Sequence, residues 1–310
     1  MGRAFVFPGQ GSQKVGMGKE LAAAFPVARL LFEEVDEALK QNLSRLMFNG
    51  PEDELTLTEN AQPALMAASL AVIGVLRHEG GVDLGRAVIC VAGHSLGEYS
   101  ALAAAGTFST VEAARLLKTR GRAMQRAVPV GEGAMAAVMG LDVDDVRAVA
   151  EEAGAACAND NAPGQVVVSG SREAVERAVE IAAGRGAKRS VMLPVSAPFH
   201  SPLMAPAAEV MSDALAEATM VPPMVPLIAN VTAAPVEDCE RIRGFLVEQV
   251  TGMVRWRESV LAMRELGVDT MAEIGTGKVL TGLARRIDRD LVAMSVEGPG
   301  DVEAFLKADG

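Results

Sequence analysis

The segment VAGHSLGEYSALAAAG (residues 91–106) places a serine between two glycines, with an apolar run before it and an alanine-rich run after it. Gly93-His94-Ser95-Leu96-Gly97 matches G-x-S-x-G, the nucleophile-elbow pattern, in which a strand turns sharply into a helix and exposes the serine hydroxyl. Small flanking residues keep the tight backbone turn free of clashes. The segment therefore predicts a buried strand over 87–93 and a helix over 96–105.

The rest of the chain alternates apolar runs of strand length with segments of helical period, which indicates an α/β fold with a parallel sheet. Further strands are predicted in AFVFPG (4–9), at 225–231, at 269–275 and at 291–296. Helices are predicted over 17–40 with a break at Pro26, from an Asn60 cap to about Glu79, and over 110–126.

Residues 134–194 follow a different order: strand, helix, strand, strand, helix, strand. This βαββαβ order is that of the ferredoxin-like unit. We therefore expect a discontinuous α/β core of residues 1–126 and 196–310 with an inserted subdomain of residues 127–195. A cleft between two such parts is a preferred place for a ligand site.

Composition narrows the class of protein. The formal net charge of −11 disfavours nucleic acid as a partner. The longest uncharged apolar segment, residues 64–76, is shorter than a membrane span, and the N-terminal apolar run is too short for a signal peptide. The cysteines at 90, 157 and 239 are odd in number and lack metal-ligand spacing, so we expect no metal site and a reducing, cytoplasmic location.

A serine hydroxyl needs a base, and the chain has three histidines. His78 is at the polar end of a predicted helix, which is typical of a solvated residue. His94 adjoins Ser95, where successive side chains diverge, so it is expected to support the turn. His200 follows the inserted module between Pro198 and Pro202, which places it at the rim of the cleft and makes it the predicted base.

A third member of a catalytic triad is less clearly indicated. The candidate acids between the serine and the base are Asp142, Asp144, Asp145 and Asp160. The first three begin an exposed helix, and Asp160 is conceivable. A Ser–His dyad oriented by a backbone carbonyl or an amide is the favoured alternative.

The helix predicted over 110–126 carries an arginine on its apolar face. At 100° per residue, Arg120 falls about 20° from Ala113 and between Leu116 and Met124. An unpaired guanidinium there is costly, so its partner is either an internal acid or a bound anion. Because this helix follows the elbow helix directly, a ligand carboxylate held near Ser95 is the sharper interpretation.

The glycine-rich segments of the chain are candidates for oxyanion-binding or nucleotide-binding turns. In the turn FPGQGSQ (7–13), the Gln10 N–H is a candidate oxyanion donor beside the Leu96 N–H at the start of the elbow helix. Nucleotide motifs are not matched: Lys14 stands where the dinucleotide fingerprint needs its third glycine, and Val279 where a P-loop needs Ser or Thr.

Together these segments resemble the malonyl-CoA:acyl carrier protein transacylase family of fatty acid synthesis over nearly the whole chain. The motifs that carry the resemblance are FPGQGSQ (7–13), AQPAL (61–65), GHSLGEYSAL (93–102), TRGRAMQ (119–125), GAMAAVMGL (133–141), NDNAPGQVVVSG (159–170), PFHSPLM (198–204), IANVTA (228–233), VRW (254–256) and GTGKVLTGL (275–283). The family's fold is a hydrolase-like α/β core with an inserted ferredoxin-like subdomain.

The resemblance implies a role for each matching position. Ser95 is the nucleophile, His200 the base and Arg120 the residue that binds the malonyl carboxylate. The remaining implied roles belong to Gln10 and Leu96 as oxyanion donors, Gln249 through its main-chain carbonyl as the group that orients the histidine, His94, Asn159 and Asn161 as site-lining residues, and Phe199 with Leu96 as residues that select malonyl over α-branched groups.

The expected activity is ping-pong transfer of malonyl from malonyl-CoA to the phosphopantetheine thiol of acyl carrier protein, by a monomer that needs no cofactor. Two alternatives stay open: a serine esterase or thioesterase with water as acceptor, and a non-catalytic docking protein. An acidic carrier protein requires a basic patch, for which Lys188-Arg189 and Arg285-Arg286 are the candidates. The alternative is that these residues are scattered, solvated charges.

Overall fold

The computed structural model describes residues 2–195 and 197–309, which contain two β-sheets and the helices that cover them. The strands are β1 (Arg3–Phe7), β2 (Cys90–Gly93), β3 (Gly133–Met139), β4 (Ala156–Ala162), β5 (Gln165–Ser171), β6 (Arg189–Met192), β7 (Leu227–Ile228), β8 (Pro235–Val236), β9 (Thr270–Ile274) and β10 (Val292–Val296).

The helices follow the predicted alternation with the strands. They are α1 (Lys19–Ala24), α2 (Pro26–Leu39), α3 (Leu43–Asn49), α4 (Glu52–Thr56), α5 (Thr58–Gly80), α6 (Leu84–Ala87), α7 (Gly97–Ala104), α8 (Thr110–Arg126), α9 (Val143–Ala153), α10 (Arg172–Gly184), α11 (Ala205–Glu217), α12 (Cys239–Glu248), α13 (Trp256–Glu265), α14 (Val279–Ile287) and α15 (Pro299–Asp309).

The larger sheet has the order β10-β9-β1-β2-β7-β8 and is parallel except for the short β7–β8 pair. Its central strands are apolar on both faces, because one face packs against α5 and α7 and the other against α13 and α14. Ser95 therefore follows the carboxyl end of a central strand, where ligands bind in open parallel sheets.

The smaller sheet is antiparallel, with the order β4-β5-β3-β6, and α9 and α10 pack against it over a separate apolar core. The strand and helix order confirms the predicted ferredoxin-like insertion and the α/β fold class. This sheet and its helices occupy residues 133–192, within the predicted subdomain of 127–195. The predicted boundary adjoins Ser196, which lies outside the described residues.

Three details of the predicted secondary structure are wrong. The strand over 87–93 begins only at Cys90, because the Val88 N–H still bonds to Leu84 O at the end of α6. The strand over 225–231 is limited to Leu227–Ile228, since the chain turns at the next residue. Asn60 does not cap α5 but lies inside it, where its side chain accepts from Gln41 and Lys118.

Helix α5 is the one described helix that is long and apolar enough to span a membrane by length and composition. However, 89% of its most apolar window is buried inside the protein. Its composition is thus explained by its central position in the core, in agreement with the prediction of a core helix for residues 64–76.

Candidate active site

The nucleophile elbow lies between β2 and α7, where Ser95 has the left-handed φ of 54°. The turn depends on its glycines: a Cβ on Gly93 would come within 1.9 Å of Gly97 C, and one on Gly97 within 2.3 Å of Phe7 O. Asn230 stabilises the turn from the side, because it accepts from Ser95 N at 2.8 Å and donates to Gly93 O at 2.7 Å. Backbone strain at this serine is thereby balanced by surrounding contacts.

The base approaches from the loop after the smaller sheet. His200 Nε2 lies 2.8 Å from Ser95 Oγ, while Nδ1 lies 2.8 Å from Gln249 O and 3.1 Å from Gly252 O. Because Nδ1 faces two carbonyl oxygens it carries the proton, so Nε2 accepts from the serine hydroxyl. Ser95 and His200 thus form a dyad, and the backbone carbonyls of Gln249 and Gly252 orient the histidine.

The electrostatic surroundings keep this imidazole neutral. Burial, with a smaller contribution from the nearby Arg120 charge, lowers the pKa of His200 to about 3. A neutral imidazole is the form that can take a proton from Ser95.

Asp160, the alternative candidate for the third member of a triad, pairs with an arginine and not with His200. Its carboxylate is buried and lies 2.8 Å from the guanidinium of Arg257. The hypothesis of Asp160 as a triad acid is therefore wrong, because its charge is already paired away from His200.

Arg120 is 1% exposed although it carries a full charge. Its guanidinium donates to Gln62 Oε1 at 2.9 Å, to Gln249 Oε1 at 2.7 Å and to Ser95 Oγ at 3.1 Å. The Tyr99 ring centroid lies 5.7 Å from its Cζ. Within residues 2–195 and 197–309, no carboxylate oxygen lies within 4.0 Å of it. The internal acid that would have explained this arginine is thus not its direct partner.

Two backbone amides near the serine are available to an anion. Leu96 N precedes the first turn of α7, and Gln10 N lies in the loop after β1. Neither N–H has a hydrogen-bond acceptor in the part of the chain that the structure describes. Both residues line the same cavity as Ser95, which is the arrangement that stabilises a tetrahedral oxyanion.

These groups line a cavity of about 470 Å³, a size suited to a small ligand. Its walls are formed by Gln10, Gly11, Gln13, Glu52, Thr56, Gln62, His94, Ser95, Leu96, Arg120, Met124, Met135, Asn159, Leu193, Pro194, Val195, Phe199 and His200. A larger surface groove of about 790 Å³ beside residues 127–132 contains none of the reactive groups.

The other predicted lining residues divide into two groups. Asn159 and Phe199 belong to the cavity wall. Asn161 does not, and its Oδ1 lies 2.9 Å from His94 Nε2. His94 also packs against Trp256, with ring centroids 5.7 Å apart. Its role as a support of the turn stays a prediction.

The candidate docking cations are exposed, and three of them lie at the same end of the smaller sheet. Arg189 and Gln165 both pair with Met139 across the smaller sheet, and Arg286 donates to Gln165. Lys188 precedes Arg189 on the same edge. Arg285 instead points to Ala293 O on the larger sheet, 3.3 Å away, because it lies on another side of α14.

Asn230 and Glu98 are among the residues of the site that were not predicted as such. Asn230 lies in the quoted segment IANVTA but has no local feature that assigns it to the elbow. Glu98 is buried in α7. It is a charged residue within an apolar helical segment, and the same feature identified Arg120 in the sequence.

Comparison with known proteins agrees with this geometry. A family model described as acyl transferase domain matches residues 4–295. The malonyl CoA-acyl carrier protein transacylase of Bacillus subtilis is 46% identical over 98% of this chain and 96% of its own length. The acyl-carrier-protein-S-malonyltransferase structure from Bartonella henselae is 57% identical, with a TM-score of 0.97 and 99% of each chain covered.

A malonyl-transacylase solved in complex with a type II polyketide synthase acyl carrier protein is 43% identical, with a TM-score of 0.96, over 99% of this chain and 100% of that one. A family match over most of the chain, together with relatives of this identity and coverage, shows the relationship. The chain belongs to the acyl transferase family.

Proposed function

We propose that this protein transfers a malonyl group from malonyl-CoA to the phosphopantetheine thiol of an acyl carrier protein through a malonyl-Ser95 intermediate. The observation that carries the proposal is the position of Arg120: this buried cation lies 3.1 Å from the nucleophile, and among residues 2–195 and 197–309 no carboxylate oxygen lies within ion-pair distance of it. The carboxylate of a bound malonyl group supplies the anion that this position requires. The names of the relatives agree with this substrate.

In the first half-reaction, Ser95 Oγ attacks the thioester carbonyl while His200 Nε2 takes the hydroxyl proton. The amides of Leu96 and Gln10 stabilise the oxyanion. Collapse of the tetrahedral intermediate breaks the C–S bond, and the proton on His200 passes to the sulfur of the departing CoA. The product is a malonyl ester on Ser95.

The second half-reaction reverses these steps with another thiol. His200 accepts the proton of the phosphopantetheine thiol, whose sulfur attacks the ester carbonyl. Ser95 Oγ leaves and recovers its proton from His200. Because protein groups supply the nucleophile, base, oxyanion donors and carboxylate partner, we propose that the transfer needs no cofactor and that a monomer suffices.

Selectivity for an unbranched malonyl group is attributed to Phe199 and Leu96. Phe199 precedes the base, is 8% exposed and lines the cavity. Its ring occupies space that an α-methyl branch would require.

Carrier-protein docking is assigned to the cations at the edge of the smaller sheet. Lys188, Arg189 and Arg286 are exposed, and Arg286 contacts Gln165, which lies on the other side of Met139 from Arg189 in the smaller sheet. A carrier protein of acidic character complements these cations. Arg285 is left out because its side chain faces a backbone carbonyl of the larger sheet. A cytoplasmic location is part of the proposal and is supported by the three free thiols.

The competing function is a thioesterase, in which water accepts the acyl group. To separate the two, the malonyl-enzyme is isolated and its decay is followed in buffer and after addition of carrier protein that bears phosphopantetheine. We expect slow loss in buffer and rapid discharge to the carrier. Rapid release of free malonate without a carrier would overturn the proposal in favour of hydrolysis.

A further inference from the structure

Glu98 is a buried carboxylate that the mechanism above does not use. It lies on α7 one turn after Ser95 and is 1% exposed. An isolated buried carboxylate is costly, so its contacts need an explanation.

Both carboxylate oxygens face N–H donors from other parts of the chain. Oε1 accepts from Asn230 N at 2.7 Å, and Oε2 accepts from the Gln249 side-chain amide. Asn230 follows β7, whereas Gln249 follows α12. Glu98 therefore joins two separate loops beneath the site.

Gln249 connects this carboxylate to the reactive groups. Its Nε2 also donates to Ser95 O at 2.9 Å, its Oε1 accepts from Arg120, and its main-chain oxygen faces His200. The side-chain amide can present its oxygen to Arg120 only while its NH₂ group faces Glu98 and Ser95. The acceptor at position 98, together with Ser95 O, thus fixes which end of the amide meets the guanidinium.

We propose that Glu98 is a positioning residue that orients the Gln249 amide, and through it the Arg120 guanidinium, for the substrate carboxylate. This inference rests on the proposed malonyl transfer. Burial raises the pKa of the Glu98 carboxyl to about 8, although the donors from Asn230 and Gln249 together with the Arg120 charge oppose the rise. The carboxylate form is assigned from geometry, because each oxygen accepts an N–H donor.

The isosteric change Glu98→Gln separates this role from simple packing. A glutamine has one acceptor and one NH₂ group, and Asn230 N occupies the acceptor. The NH₂ group of the new glutamine then faces the NH₂ group of Gln249. Rotation of the Gln249 amide relieves this conflict only by turning the Gln249 NH₂ group toward Arg120. Arg120 thus keeps this acceptor only at the cost of the conflict between the two NH₂ groups, and it loses the acceptor when the Gln249 amide rotates. The main-chain oxygen that orients His200 is unchanged in both arrangements.

The test compares kcat/KM for malonyl-CoA and acetyl-CoA in the same sample, since this ratio does not depend on the fraction of folded enzyme. We expect Glu98→Gln to lower the malonyl-to-acetyl ratio about tenfold, the effect of one hydrogen bond to a charged group. Glu98→Asp keeps two acceptor oxygens on a shorter side chain, so we expect a smaller fall in the same direction. If Glu98→Gln yields no folded enzyme, Glu98→Asp provides the test.

Glu273→Gln is the matched control. Glu273 is also buried and accepts from Leu280 N at 3.1 Å and Thr281 N at 2.7 Å, at the start of α14. We expect it to lower thermal stability without changing the ratio.

The inference would be overturned if the Glu98 variants lose stability but keep the wild-type malonyl-to-acetyl ratio of kcat/KM. It would also be overturned if Glu273→Gln lowers that ratio as much as Glu98→Gln does. Failure of the proposed function itself has a different signature, since the wild-type chain would then not transfer malonyl at all.

Discussion

Arg120 Nη2 and Ser95 Oγ lie 3.1 Å apart, so the guanidinium and the nucleophile share one hydrogen bond. In a malonyl ester the free carboxyl carbon is two C–C bonds from the ester carbonyl, about 2.5 Å away. A carboxylate so close to the reacting carbon comes within reach of Arg120 while the carbonyl stays over Ser95. This separation favours a short diacid and holds it in attack geometry.

Changing Arg120 to Ala should therefore damage malonyl transfer far more than acetyl transfer. A bidentate, charge-assisted contact is lost, and we expect kcat/KM for malonyl-CoA to fall about 100-fold, against less than about tenfold for acetyl-CoA. Steady-state rates with the two thioesters provide the measurement.

Arg122→Ala is the control for this change, because Arg122 lies on the exposed side of the same helix and pairs with Glu59 at 2.9 Å. It should leave both rates near those of the wild type. Equal losses with both substrates in Arg120→Ala would remove its assigned role.

The lowered pKa of His200 predicts an unusual pH profile. With a pKa of about 3 in the folded protein, the base is neutral across the range from about pH 5 to pH 8. Single-turnover acylation by acetyl-CoA, whose acyl group has no carboxylate, should then show no inflection near 6.5. A tenfold loss of rate per pH unit below that value would contradict the burial argument.

The same shift affects stability. The unfolded histidine titrates near 6.5 and the folded one near 3, so the unfolded state binds more protons between these values. This group's contribution to the free energy of unfolding is present above pH 6.5 and is lost as the pH falls toward 3. Urea denaturation at several pH values should show that decline, and the His200→Gln variant should show a shallower one.

Asn230 should matter for rate and stability together. Asn230→Ala removes the contacts to Ser95 N and Gly93 O, and each unsatisfied buried group costs about 1–3 kcal/mol. We expect the free energy of unfolding to fall by about that amount per group and the acylation rate per folded site to fall as the elbow loosens.

Asn60→Ala is the comparison, since Asn60 is also buried and bonded but lies away from Ser95. Its stability should fall while its rate per folded site stays unchanged. The same rate loss in both variants would show that Asn230 has no special relation to the elbow.

Charge reversal should reveal the carrier-protein surface. The double change Arg189→Glu and Arg286→Glu should raise the KM for carrier protein severalfold at low salt and leave acylation by malonyl-CoA unchanged, because both residues are exposed outside the cavity. Lys307→Glu on α15 is the control. An unchanged KM for the carrier would place docking elsewhere.

Local patterns predicted a large part of this molecule. The elbow follows from five consecutive residues, the inserted unit from the order of its elements, and the buried Arg120 from helical periodicity. The orienting carbonyls of Gln249 and Gly252 could not be derived from the pattern, because a main-chain oxygen has no sequence signature.

Contacts between distant segments explain what was missed. The bond between Ser95 and Asn230 joins residues 135 positions apart, and Asn161 supports His94 from 67 positions away. The shortened β7 has the same origin, since its ladder with β2 pairs Leu227 with Val91 and Ile228 with Ala92 and ends there. Such pairings are fixed by tertiary packing rather than by local preference.

The most direct test of the account is the mass of the intact protein after brief exposure to malonyl-CoA, with peptide mapping of the modified residue. We predict a gain of one malonyl group on Ser95, lost on addition of carrier protein and absent in Ser95→Ala. A protein that gains no mass, or a Ser95→Ala variant that still becomes labelled, would contradict it.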